Sequence, residues 1–160
     1  MKAWIAAAAL AALALPAGAQ EAAAPAGEVK VAVPKGAHDY GFAGLMARDN
    51  RTDLPPLTLS SGKPVADGVY KLKSGTYYRI DITSDGTAEL ALSGGDFFRS
   101  IWINEIVVNA IEIRPMGVHS IEFDKAGTAQ MSFIAIVPGT YTLSIPGSHS
   151  ETQTATFVIQ

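Results

Sequence analysis

Tyr78-Arg79-Ile80-Asp81-Ile82-Thr83 alternates bulky apolar with polar side chains at a period of two. Successive side chains of a strand point to opposite faces, so this stretch sends Tyr78, Ile80 and Ile82 to a core and Arg79, Asp81 and Thr83 to water. Ser84-Asp85-Gly86 follows, a turn in which glycine tolerates positive φ. Working outward from it, runs rich in Val, Ile, Thr and aromatic residues recur from Leu57 onward, broken by Gly, Pro or Asx turns roughly every 8 to 12 residues, the spacing of an all-β sandwich. Strands are predicted over Leu57–Ser60, Gly68–Leu72, Tyr77–Thr83, Ala88–Leu92, Ile101–Val108, Ile111–Arg114, Val118–Phe123, Ala129–Val137, Gly139–Ile145 and Ala155–Ile159. Asp124-Lys125-Ala126-Gly127 and Pro138-Gly139 are further turns, and Asn109-Ala110 is a weaker hairpin signal than Asn-Gly. Asn104 and Glu105 interrupt the otherwise apolar Ile101–Val108, as expected of a strand covered on both sides or of one carrying a bulge.

Before Leu57 the pattern is different. Lys2, an apolar Ala- and Leu-rich run from Ala3 to Leu15, Pro16 and the small-x-small triplet Ala17-Gly18-Ala19 read as a secretory signal peptide. The run is a poor transmembrane span, which takes about 20 strongly apolar residues, so no membrane span is expected after cleavage. The alanine richness points to a bacterial, periplasmic destination. Residues 20–27 are too poor in large side chains to bury anything and are expected to be disordered. Glu28 to Val33 has the alternation of an edge strand ending at Pro34, and Phe42 to Arg48 is long enough for a short helix in an otherwise irregular stretch. The expected organisation is a signal peptide over 1–19, a lead-in and irregular extension over 20–56, and the sandwich over 57–160.

The chain has 160 residues, with 12 Lys and Arg against 15 Asp and Glu and no cysteine. That length supports one core rather than two lobes around a cleft. Balanced charge without a basic run argues against a nucleic-acid partner. The lack of cysteine removes disulfides, thiolate zinc sites, iron–sulfur clusters and cysteine nucleophiles. The carboxylates are scattered over separate strands and turns, Ser120 cannot pair with adjacent His119 because neighbouring strand residues face opposite ways, and Ser93-Gly94-Gly95 is expected to lack the following helix that a phosphate cradle needs. No catalytic residue is nominated and an enzyme is not expected.

Phe123-Asp124-Lys125-Ala126-Gly127-Thr128, then Phe133 through Val137 and Pro138-Gly139-Thr140-Tyr141-Thr142-Leu143, then Ile145-Pro146-Gly147 and Thr156-Phe157-Val158-Ile159 resemble a cupredoxin-type domain over residues 68–160. The resemblance implies a Greek-key β-sandwich of the plastocyanin and azurin kind. In that family the Pro-Gly-Thr-Tyr turn feeds a strand ending in the copper cysteine, and an Ile-Pro-Gly-His loop and an axial methionine follow. Here those three positions fall on Leu143, Ser148 and Gln153. Type-1 copper needs two imidazoles and a thiolate, so the resemblance implies the fold without that centre.

Two sets of residues remain as candidates. His119, Met116 and His149 offer imidazole and thioether groups that would suit copper in a site of a different kind, though no two histidines stand at the i, i+2 or i, i+4 spacing that puts both on one face. His38-Asp39-Tyr40 reads as a turn. No cofactor other than copper is suggested. Phe97, Phe98, Arg99 and Trp102 bring three aromatics and an arginine together, the composition of interface centres, and so nominate a periplasmic protein partner. The alternative, favoured by a sandwich's need for aromatic volume, is that alternate residues of this segment fill the core. Trp102 is the one expected outside if Ile101 and Ile103 point inward. Two roles follow: a copper-handling accessory protein, or a metal-free interaction module.

Overall fold

The computed structural model describes residues 28–29 and 44–160. In chain order its strands are β1 (Glu28–Val29), β2 (Arg51–Asp53), β3 (Leu57–Leu59), β4 (Val69–Leu72), β5 (Tyr77–Ser84), β6 (Leu90–Ser93), β7 (Ile101–Val108), β8 (Ile111–Ile113), β9 (Ser120–Phe123), β10 (Gly127–Ala135), β11 (Gly139–Ser144) and β12 (Thr154–Ile159). A short helix, α1 (Gly95–Arg99), links β6 to β7. The expectations for residues 1–27 and for His38-Asp39-Tyr40 lie outside the described residues. So does most of the Glu28 to Val33 run, of which β1 is the described part, lying parallel to β4. Phe42 is also outside. Within the expected helix the described residues form no α-helix: Gly44 and Arg48 lie in 3-10 turns, the second of them spanning Arg48–Asn50.

The strands form two sheets, one ordered β1-β4-β12-β11-β6-β9 and the other β2-β5-β10-β7-β8, with β3 also on β5. The chain crosses repeatedly between them, so that β3 lies parallel to β5 and β4 parallel to β12 although each pair is distant or interrupted in sequence. This is the expected all-β sandwich of two sheets. Both β2 and β3 run along the same strand, at Arg51↔Tyr77 to Asp53↔Arg79 and at Leu57↔Ile82 to Leu59↔Ser84. Pro55 and Pro56 fall in the gap, where two residues without an N–H cannot continue a ladder. All ten strands predicted beyond Leu57 are present.

Two local predictions are resolved by the pairing. Ser132 opposes Glu105 but Phe133 opposes Ile103, so Asn104 is the extra residue of a bulge in β7. Its amide donates to Tyr77 Oη at 3.3 Å and Ser132 Oγ at 3.2 Å, which anchors the polar break. Asn109 and Ala110 both take positive φ, 49° and 65°, and Val108 pairs with Ile111, a two-residue turn of the kind whose twist matches that of the flanking strands.

The space between the sheets is closed by a column of rings. Tyr70 of β4 stacks on Phe157 of β12 at 4.7 Å, and Phe157 on Phe97 of α1 at 4.3 Å. Phe97 meets Phe133 of β10 edge-on at 5.8 Å, and Phe133 lies 5.9 Å from Tyr78 of β5. The fully buried Tyr70 keeps its hydroxyl satisfied on the carbonyls of Pro55 and Pro56 at 3.2 and 3.4 Å. Burial, with a smaller contribution from Asp67, pushes its pKa up to about 12. Among the described residues no helix is long and apolar enough to cross a membrane.

Candidate functional site

The three positions that match the family's copper ligands are occupied by groups committed to the fold. Leu143 and its cross-strand partner Ala155 are both fully buried. Ser148 N donates to Ile145 O at 3.1 Å, and Ser148 Oγ accepts from Ser150 N at 3.3 Å. Gln153 Nε2 donates to Lys63 O at 3.0 Å while the main-chain carbonyl of Gln153 accepts from Ile145 N at 3.1 Å. The loop is held by its own hydrogen bonds, and at these three positions it offers no thiolate and no imidazole, its histidine standing one residue further on, at His149. The donor set does not fit that group.

The other candidate ligands, His119, Met116 and His149, are all exposed. His119 immediately precedes β9, whose Ser120 pairs with Ser93 of β6. Its exposed ring shares a long, 3.4 Å hydrogen bond with Ser93 Oγ, and its Nδ1 lies 2.9 Å from where a Cβ on Gly95 would stand. Met116 is fully exposed. His149, also exposed, lines an open groove of about 690 Å³ together with Asp67, Glu151, Thr142, Thr154 and Thr156. Among the described residues no group of three or more His, Cys, Asp or Glu side chains lies close enough to hold a metal ion.

The aromatic segment divides in two. Phe97 is fully buried and Phe98 is 5% exposed, so the nomination of these two as interaction residues is corrected: they are core. The reason is α1, which turns both rings between the sheets and is too short to leave a periodic signal in the sequence. Phe98 N donates to Gly94 O at 3.1 Å and Ser100 Oγ to Asp96 O at 2.8 Å, fastening both ends of this single turn. The expectation that no helix follows Ser93-Gly94-Gly95 is therefore also corrected, although five residues supply no phosphate cradle. Arg99 is exposed and paired with Asp96. Trp102 is half exposed, at 50%, between Ile101 and Ile103 that point inward, as the alternation implies.

Trp102 has apolar neighbours that the sequence did not single out. It pairs with Ile134 on the outer face of its sheet. Two residues beyond Ile134, where β10 has ended, the amides of Ile136 and Val137 both donate to Ser100 O, at 3.1 and 3.0 Å. This leaves the side chains of Ile136 and Val137 each 46% exposed beside the start of β7. The sequence places both at the end of the strand Ala129–Val137, whereas β10 stops at Ala135 and their amides turn to Ser100. Ile111 and Ile113 of β8 are exposed too, at 65% and 47%.

Charge is used structurally on the same outer face. Arg79 makes two hydrogen bonds to Asp53, at 2.8 and 2.6 Å, which hold its pKa above the usual arginine value. Arg114 reaches Glu105 at 3.0 Å, Glu112 at 3.2 Å and Asn104 Oδ1 at 3.1 Å. At the β5–β6 turn, Asp85 accepts from Ser60 Oγ at 2.5 Å and from the hydroxyl and amide of Thr87 at 2.7 and 3.0 Å. These bonds, the serine's first, bring its pKa down to about 2.

No protein-family model matches the chain, and no curated protein does. Among solved structures it is similar to a multicopper oxidase, at 8% identity over 70% of this chain and 44% of that one, with a TM-score of 0.48. It is also similar to a copper nitrite reductase from Nitrosomonas europaea, at 17% identity over 58% of this chain and 33% of that one, with a TM-score of 0.46. A multi-copper oxidase from Pseudomonas thermotolerans gives 18% identity over 57% and 22%, with a TM-score of 0.46. The chain spans less than half the length of each.

Proposed function

We propose that this chain is a periplasmic accessory module of cupredoxin-like fold that works by binding a protein partner, without a copper centre and without catalysis. The observation that carries the reading is the exposure of three apolar side chains near the start of β7: Trp102 on that strand, and Ile136 and Val137, whose amides are held by the carbonyl of Ser100. A half-exposed tryptophan at such a place gains a large apolar contact on docking at little entropic cost. The competing assignment, copper handling through His119, Met116 and His149, has less behind it: among the described residues no group of three or more His, Cys, Asp or Glu side chains lies close enough to hold a metal ion. The non-catalytic reading is supported by the placement of the shifted groups: Tyr70 in the core, Arg79 in an ion pair and Asp85 in a turn, with no two of them in one cleft.

The test has two arms. The mature protein and its Trp102→Ala variant are used to capture partners from a bacterial periplasmic extract, and both are titrated calorimetrically with Cu(I) and Cu(II) against a competing chelator. The expected result is a captured protein lost with Trp102→Ala and retained with His119→Ala, and copper binding no tighter than millimolar. Tight one-to-one copper binding abolished by His119→Ala or His149→Ala would overturn the proposal.

A further inference from the structure

β8 ends its sheet: in the order β2-β5-β10-β7-β8 it has a neighbour on one side alone among the described residues. All three of its residues are exposed. Natural edge strands are blunted by shortness, charge, proline, bulges or covering elements; β8 is short and carries Glu112, with Arg114 and Pro115 after it, but among the described residues no element covers it and no bulge bends it away. Instead its core-facing side carries Ile111 and Ile113, and its water-facing side carries Glu112 followed by Arg114.

The hairpin register fixes which backbone groups of β8 are free. Val108↔Ile111 closes a two-residue turn, and in such a hairpin the closing pair exchanges both its hydrogen bonds. Alternation then directs the N–H and C=O of Ile111 and Ile113 toward β7 and those of Ala110, Glu112 and Arg114 away from it. Another strand can join this edge only by pairing with the outward set. For a second copy related by a two-fold axis, the two central registers are Glu112 opposite Glu112, which opposes like charges, and Glu112 opposite Arg114, which pairs opposite charges twice. In the second register Ile113 meets its own symmetry mate and Ile111 meets Pro115, all on the core-facing side. Pro115 costs nothing there, because its missing N–H would point toward β7 rather than across the new junction.

We propose that β8 is a self-association edge on which a second copy of this chain docks antiparallel, with Glu112 opposite Arg114 of the other copy, joining two five-stranded sheet paths into one continuous sheet. Charge complementarity, register and the exposed isoleucines select the same occupant. This surface lies away from the turn of Ile136 and Val137, and the inference does not depend on how Trp102 is used.

Sedimentation equilibrium of the mature protein over a wide concentration range tests it, with hydrogen exchange at the Glu112 amide as the local readout. Expected are a monomer–dimer equilibrium and protection of that amide that rises with concentration. Each of Glu112→Arg and Arg114→Glu should weaken the dimer by about tenfold or more, and the doubly reversed variant should recover most of the loss. Trp102→Ala should leave it unchanged. Circular dichroism separates loss of pairing from loss of fold, and Ile113→Lys gives a second disruption that leaves Arg114 and its ion pairs in place. The proposal is overturned by a monomer at every concentration, by Glu112 protection independent of concentration, or by a dimer indifferent to either charge reversal.

Discussion

Phe97 stacks on Phe157 with ring centroids 4.3 Å apart and planes 29° from parallel. A helix of a single turn is thereby fixed to the strand between β4 and β11, and Phe97 becomes the link through which the rings of one sheet reach those of the other. Phe97→Ala should cost about 3 to 5 kcal/mol of folding stability, the range for deleting a buried aromatic. Urea unfolding measures it, and a loss under 1 kcal/mol would mean that the column is not continuous.

Trp102 presents the opposite case. Half of its surface is already in water, so Trp102→Ala should change stability by no more than about 1 kcal/mol while removing the captured partner. A variant that unfolds instead would place Trp102 in the framework and remove it as a recognition residue.

Gly94 sits where β6 hands over to α1, against β11. A Cβ there would run into the carbonyl oxygen of Thr142 and stand 2.7 Å from Leu143 Cδ2. The backbone on one side and the fully buried Leu143 on the other have little room to yield. Gly94→Ala should therefore destabilise by about 1 to 3 kcal/mol, as overpacking does. At Gly95 the obstacle is the exposed ring of His119, which can swing away, so Gly95→Ala should cost less. Parallel thermal melts of the two variants check the order.

Asp85 gives a pH dependence of defined sign. Its pKa in the folded state is about 2, against roughly 3.9 for an unperturbed aspartate. The stability it contributes is complete above the unfolded value and disappears as pH falls from about 4 toward 2. Asp85→Asn should thus be less stable than the parent at neutral pH, with the gap narrowing through that window. Denaturant melts at stepped pH values report it; a gap that stays constant down to pH 2 would contradict the assignment.

The architecture was legible in the sequence because each strand advertised itself locally. Tyr78 through Thr83 alternate as they should, Asn104 and Glu105 left a bulge as one of two readings and the pairing places it at Asn104, and even the weak Asn109-Ala110 signal closes a two-residue hairpin. What escaped was decided by distant contacts. No window of five residues can reveal α1, and with it went the burial of Phe97 and Phe98. Ile136 and Val137 continue the apolar run of β10 in every local respect; the carbonyl of Ser100 draws their amides away. Likewise Ile111 and Ile113 carry the pattern of a core strand, and only their place at the end of a sheet exposes them. The histidines were legible as residue types, but their surroundings, Ser93 for His119 and the groove beside Asp67 and Glu151 for His149, are a property of the strand order.

Strand order also imposes a timetable. Every strand of the sheet containing β5 has been synthesised once Ala135 is made, whereas the other sheet is still in two pieces, β1 with β4 and β6 with β9. The strand that joins them is β12, which arrives after all the rest and brings Phe157 with it. Until residue 157 is available Tyr70 lacks the ring of Phe157 to stack on, and the inner face of the finished sheet lies open to water, proteases and chaperones. Molecules halted shortly before that residue should be degraded rather than accumulate as partly working domains.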